Sequence, residues 1–238
     1  PITWENAFKI IAEELNSLAS PDEGIFYTSG RTANETGFLY QLFVRMFGTN
    51  NMPDCSNMCH ESSGAALKET IGIGKGTVTI DDFDECDLVI IIGQNPGTNH
   101  PRMLTSLEHA KKNGAKIISI NPIPETGLLN FVDPNPQENP LNFPFRILGN
   151  IGTKISDLRL PLKINSDMAL LKGFSKLLLE DETAIDRKFI EEKTSGFKEF
   201  TESLKQVSWE DITEQCGLSL DEIKSAVEII KNSKKIIT

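Results

Sequence analysis

The sequence predicts an α/β fold: a doubly wound, mostly parallel sheet flanked by helices, with a long irregular Pro/Asn-rich excursion and a mainly helical C-terminal part. Three observations predict it. Two short runs, Leu88-Val89-Ile90-Ile91-Ile92 and Lys116-Ile117-Ile118-Ser119-Ile120, are almost uniformly apolar and read as strands buried on both faces. Between them, residues 101–113 read as a helix, with Pro101 near the first turn and Gly114 past the end, so the three elements form one right-handed βαβ unit. Beyond these, Pro134, Pro136, Pro140 and Pro144 stand among asparagines and interrupt any regular element.

The remaining elements follow in order. Thr3 is an N-cap for a helix whose Phe8, Ile11, Ala12 and Leu15 share one face. Residues 24–30, a short apolar run ending in Gly30, read as a strand, and residues 32–47 as a second amphipathic helix carrying Phe38, Leu39, Leu42, Phe43 and Met46. Gly72, Gly74 and Gly76 follow a helix rather than a strand, so they read as a turn and not as a dinucleotide fingerprint. Residues 160–164 read as a short strand, 167–179 as a helix capped by Asn165 or Ser166, and 219–231 as another helix; residues 235–238 look like a strand beginning.

Composition excludes several classes. A net charge of −10 disfavours nucleic acid and anionic membrane surfaces as main partners, since both need a cationic face. No apolar run approaches the ~18–20 residues of a membrane helix. The opening Pro1-Ile2-Thr3-Trp4 has no signal-peptide character and suggests a chain starting inside a longer protein. Cys55, Cys59, Cys86 and Cys216 are too scattered for a disulfide framework, so reduced thiols and a cytoplasmic setting are expected. With three histidines and no Cys-x-x-Cys, no zinc site is complete.

Three segments could carry chemistry. Gly93-Gln94-Asn95-Pro96-Gly97-Thr98-Asn99-His100 follows the best buried strand, where glycines let backbone N–H groups approach a phosphate; the plain alternative is a helix-capping loop. Asn121-Pro122 ends the next strand, where a ribose or base is commonly met, or else forms a simple turn. Cys59-His60 sits beside small residues at a helix start, a setting that favours a thiolate able to bind a transition metal, with an imidazole able to move protons. A lone cysteine is more often a small core residue, and Cys86 and Cys216 take that reading. His109 reads as a solvated residue near a helix end.

Taken together, Thr28-Ser29-Gly30-Arg31-Thr32-Ala33-Asn34-Glu35, Gly48-Thr49-Asn50-Asn51 leading to Cys59-His60, residues 87–101, Gly114 to Ile118 with Asn121-Pro122, and Asn165 to Leu170 resemble the molybdopterin oxidoreductase superfamily. The likeness is strongest to formate-dehydrogenase-like α subunits and runs through essentially the whole chain, as an internal fragment of a longer protein. It implies molybdenum or tungsten held by two molybdopterin guanine dinucleotides, with Cys59 as metal ligand and His60 beside it. It also implies that Arg31 and Asn34 lie near the pterin and Cys55 in the pocket before the ligand. Gly93 to His100 would meet dinucleotide phosphates, Asn121 and Pro122 the guanosine, and Asp167 the guanine or ribose. The same resemblance implies a [4Fe-4S] cluster and further N- and C-terminal domains outside this chain, a small substrate such as formate, and an electron-transfer partner. In these terms residues 1–124 are a dinucleotide-binding half with the metal-ligand loop, 125–159 the excursion, and 160–238 a strand plus helices completing the same region. The rival readings are a non-catalytic nucleotide-binding or docking module, and a Cys59 nucleophile lacking any orienting third residue.

Overall fold

The computed structural model describes residues 1–53, 57, 59–131 and 152–238. Contacts group the chain as two units, Pro1–Thr77 and Val78–Thr238. That division falls at 77/78, whereas the change of composition falls near Pro124.

In Pro1–Thr77, α1 (Trp4–Ser17) starts at Thr3, whose hydroxyl accepts the Asn6 N–H at 3.3 Å, as its residue type requires. No residue of α1 is buried. Helix α2 (Asn34–Phe47) presents Tyr40, Phe43 and Phe47 to Phe26, edge-on, with ring centroids 6.2, 6.0 and 5.5 Å away. Helix α3 (Glu61–Ile71) ends at Gly72, in agreement with the turn reading there.

Residues 24–30 are not a strand, contrary to expectation. Phe26 alone of that run is buried, while Ile25 and Tyr27 are exposed. No described strand of this unit runs beside it. Its backbone is held instead by Asn51: the Phe26 N–H donates to the Asn51 carbonyl at 2.9 Å, and Asn51 Nδ2 donates to the Asp22 and Gly24 carbonyls at 2.8 and 3.2 Å.

Val78–Thr238 opens with the short helix α4 (Asp82–Glu85) and then strand β1 (Leu88–Ile92). After the turns α5 (Pro96–Asn99) and helix α6 (Met103–Lys112), strand β2 (Lys116–Ile120) pairs parallel with β1, Leu88 opposite Lys116 and Ile92 opposite Ile120. The short helix α7 (Thr126–Leu129) leads to an antiparallel pair, β3 (Asn130–Phe131) with β4 (Thr153–Lys154). The flanks of the excursion are therefore ordered elements, while all four of its prolines fall outside the described residues. Strand β5 (Leu158–Leu160) follows. It lies two residues earlier than the expected 160–164, because its partners on β2 are Ile118 to Ile120 and Pro161 has no N–H to extend a ladder.

Five helices complete the unit: α8 (Asp167–Leu179), α9 (Arg187–Lys193), α10 (Phe197–Lys205), α11 (Trp209–Cys216) and α12 (Leu220–Lys231). The last has a full capping box between Ser219 and Glu222. Strand β6 (Ile236–Ile237) then joins β1, giving a parallel sheet ordered β5-β2-β1-β6.

Alternation along the strands builds a core on each face. Leu88, Ile90, Ile118, Ile120 and Leu160 pack with residues of α8, α11 and α12. Val89, Ile91, Ile117 and Ile237 pack instead with Leu104 and Leu107 of α6, and with Leu128 and Ile155. Helical layers on both faces confirm the doubly wound α/β reading. The carboxyl edge of the sheet is what positions the loops described next.

Candidate functional site

Strands β1, β2 and β5 run parallel, so the loops after them leave by one edge of the sheet. Three of the segments singled out from the sequence stand there. Gly93, the first residue after β1, has φ +66 and donates its N–H to the Ile120 carbonyl at 2.9 Å. A Cβ at this position would meet nothing within 4 Å. The glycine is thus demanded by backbone conformation, and its face is left open to an approaching group.

Within the same loop the side chains divide. Thr98, Asn99 and His100 are exposed, and Gln94 Nε2 lies 3.2 Å from His100 Nδ1. Pro96 and Gly97 are buried. Asn95 is buried too: its Oδ1 accepts the Thr98 N–H at 3.3 Å and its Nδ2 donates to Glu125 Oε2 at 2.9 Å.

After β2, the Asn121 N–H donates to the Leu160 carbonyl at 3.3 Å, and Asn121 Oδ1 accepts the Ile123 N–H at 3.2 Å. Pro122 is exposed. After β5, Asn165 takes φ +63 and the Ser166 hydroxyl donates to the Lys163 carbonyl at 2.5 Å. This turn delivers Asp167, exposed, as the first residue of α8.

The other expected residues belong to Pro1–Thr77. Arg31 is exposed in a turn where its N–H donates to Ser29 Oγ at 3.2 Å and the Thr28 and Thr32 hydroxyls are 2.6 Å apart. Asn34 opens α2 and is exposed. A cavity of about 410 Å³ is lined by this stretch and α2, including Thr28, Ser29, Phe38 and Tyr40. Cys59 is an exposed free thiol. His60, also exposed, is the N-cap residue of α3 and its carbonyl accepts the Gly64 N–H at 2.8 Å. Cys55 lies outside the described residues. By contrast Cys86 and Cys216 are buried, and burial pushes the Cys86 thiol above its ordinary pKa, as suits a core residue.

A model of the molybdopterin oxidoreductase domain matches residues 1–180. The chain belongs to the molybdopterin oxidoreductase family. It is 48% identical to an uncharacterized oxidoreductase of Mycobacterium tuberculosis (strain ATCC 25618 / H37Rv), over all of this chain and 30% of that protein. Formate dehydrogenase H of Escherichia coli K12 is 30% identical, over 98% of this chain and 30% of the relative. The F420-dependent formate dehydrogenase subunit alpha of Methanocaldococcus jannaschii is 28% identical over 98% of this chain and 31% of its own length. The chain therefore spans about 30% of the length of these curated relatives. Acetylene hydratase from Pelobacter acetylenicus shares the fold, with a TM-score of 0.55 at 21% identity over 95% of this chain and 28% of that one.

At this sheet edge, sequence reasoning gave no role to Glu125, which it read only as part of the segment after β2, and passed over Gly127. Their role depends on a bond and a close approach to the β1 loop, thirty residues away. The only local hint is an acidic residue and a glycine soon after a buried strand. Among the described residues, no group of three or more His, Cys, Asp and Glu side chains is gathered as a metal site, and no helix is long and apolar enough to cross a membrane.

Proposed function

We propose that the parent protein is a formate-dehydrogenase-like oxidoreductase carrying molybdenum or tungsten on two molybdopterin guanine dinucleotides. The observation that carries this reading is the shared carboxyl edge, where an open left-handed glycine, a strand-end asparagine and a helix-opening aspartate stand on adjacent parallel strands. The residues present fit such a group. The Gly93 face leaves space for a phosphate to approach the loop, its own N–H being taken up by the Ile120 carbonyl. The exposed thiol of Cys59 is a soft donor suited to a transition metal.

When bound, the metal and pterin supply two-electron chemistry on a small substrate such as formate. The chain's residues then have distinct tasks. Cys59 would hold the metal through Sγ, and His60 beside it would be the group able to take up the proton released from the substrate. By the family resemblance, Arg31 and Asn34 would lie near the pterin, and Cys55 would be a pocket residue preceding the ligand. The loop 93–100 would hold one dinucleotide's phosphates through its open face, Asn121 and Pro122 would meet its guanosine, and Asp167 the guanine or ribose. The reading also includes a [4Fe-4S] cluster and further domains outside this chain, an electron-transfer partner and a cytoplasmic location. The 238-residue chain alone is expected to be inactive.

Elemental analysis of the parent protein combined with formate-dependent dye reduction tests this. Molybdenum or tungsten near one per chain is expected, and Cys59→Ala should abolish turnover while leaving the circular-dichroism melt intact. A metal-free protein whose activity is lost on thiol alkylation would point to a cysteine nucleophile instead.

A further inference from the structure

The geometry points to a clamp between the loops after β1 and β2, in which Glu125 is a positioning residue that holds the phosphate-facing loop in register with Asn121. This rests on the cofactor reading above and deepens it. Asn95 is 8% exposed, and its amide is divided between two partners. Oδ1 serves the turn of α5 through the Thr98 N–H, and Nδ2 reaches across to Glu125 Oε2 at 2.9 Å. Chemistry dictates that orientation: a carboxylate only accepts and a backbone N–H only donates, so the amide cannot be reversed.

Backbone packing locks the same junction. A Cβ on Gly127 would overlap Asn95 Oδ1 and stand 2.7 and 2.8 Å from Gly97 Cα and N. Gly127 is therefore required by the close approach of α7 to α5. One charge-assisted hydrogen bond and one glycine contact make the two loops a single piece. Asn95 thus serves by positioning its loop rather than by touching the cofactor, and Glu125 is its anchor. The β1–β2 ladder and the Gly93 N–H bond to the Ile120 carbonyl already fix the two strand ends; the clamp extends that constraint outward to the rest of the loop, where Thr98, Asn99 and His100 are exposed, and dinucleotide retention depends on it.

The parent holoenzyme tests this through its guanine content, measured as guanine nucleotide released per chain on acid hydrolysis after extended dialysis, alongside molybdenum or tungsten per chain. N95D keeps an acceptor for the Thr98 N–H but sets a carboxylate against Glu125. Guanine retention should fall about tenfold or more, the effect of a lost charge-assisted bond. E125Q still accepts from Asn95 and should retain cofactor. The double variant N95D/E125Q rebuilds the bond with donor and acceptor exchanged, and should return to within about threefold of the wild type. Should N95D fail to fold, E125A removes the same bond without placing like charges together, and is read in the same way. Wild-type guanine content in N95D or E125A, or no rescue by the double variant, overturns the clamp alone. A wild-type protein with metal but no guanine overturns the dinucleotide reading and the clamp together.

Discussion

Pro1–Thr77 and Val78–Thr238 use apolar residues in opposite ways. In the second unit, β1 and β2 send alternate side chains into two cores, each closed by helices. Among the described residues of the first unit, only Phe26 and Val44 are buried apolar side chains, while Trp4, Phe8, Phe38, Leu39 and Met46 are all more than 60% exposed. The lesson is that amphipathic spacing specifies a helix without specifying what covers it. A parallel sheet differs because its middle strands have no solvent face to choose. Pro1–Thr77 is held instead by the Phe26 aromatic cluster and by hydrogen bonds from Asn51 and Thr49 to the Asp22–Gly24 turn.

The largest expected effect tests that contrast directly. Ile118→Ala removes a fully buried side chain from the centre of the sheet and should cost about 3–4 kcal/mol in urea unfolding, whereas Phe38→Ala should stay within about 0.5 kcal/mol. Equal costs would break the comparison. Next, Phe26→Ala should cost about 3 kcal/mol locally, seen as faster amide exchange in Asn34–Phe47 with no change at Leu88–Ile92. Matching acceleration in both segments would show one shared cooperative core.

Smaller effects sharpen the picture of the helical layer. Ser219→Ala removes the capping box of α12 and should cost about 1 kcal/mol, measured by thermal melting. The smallest effect is electrostatic. Lys231 Nζ lies 2.5 Å from Asp181 Oδ2, and together with Thr183 it lowers the Asp181 pKa from 3.8 to about 2. A depressed carboxylate stabilises the fold above its unfolded pKa of 3.8, and that contribution disappears as pH falls toward 2. Lys231→Met should therefore flatten stability between pH 4 and 2, read as melting temperature against pH, relative to wild type.

The candidate site was legible in pieces. Gly93 and Asn121 were readable because each follows a buried strand, and strand-end residues carry local signals; Asp167 entered only through the family resemblance, and the expected side-chain cap before it is absent, since the Ser166 hydroxyl turns back to the Lys163 carbonyl. Asn95 read only as one member of that loop, since nothing local distinguishes an exposed asparagine from one buried against Glu125. Residues 24–30 misled for a related reason. Apolar character suggested a strand, but a strand needs a neighbour, and Asn51 meets this backbone instead, its carbonyl accepting the Phe26 N–H and its side chain donating to the Gly24 carbonyl.

The amino-acid sequence by itself determined β1, β2 and the helices α8 and α12 almost to the residue, because apolar runs, caps and prolines act over a few neighbouring positions. Only the tertiary structure decided the order β5-β2-β1-β6, the placing of three loops on one edge, and the bond from Asn95 to Glu125. Those depend on which distant strands and loops share hydrogen bonds and packing, and no local pattern of residues encodes that choice.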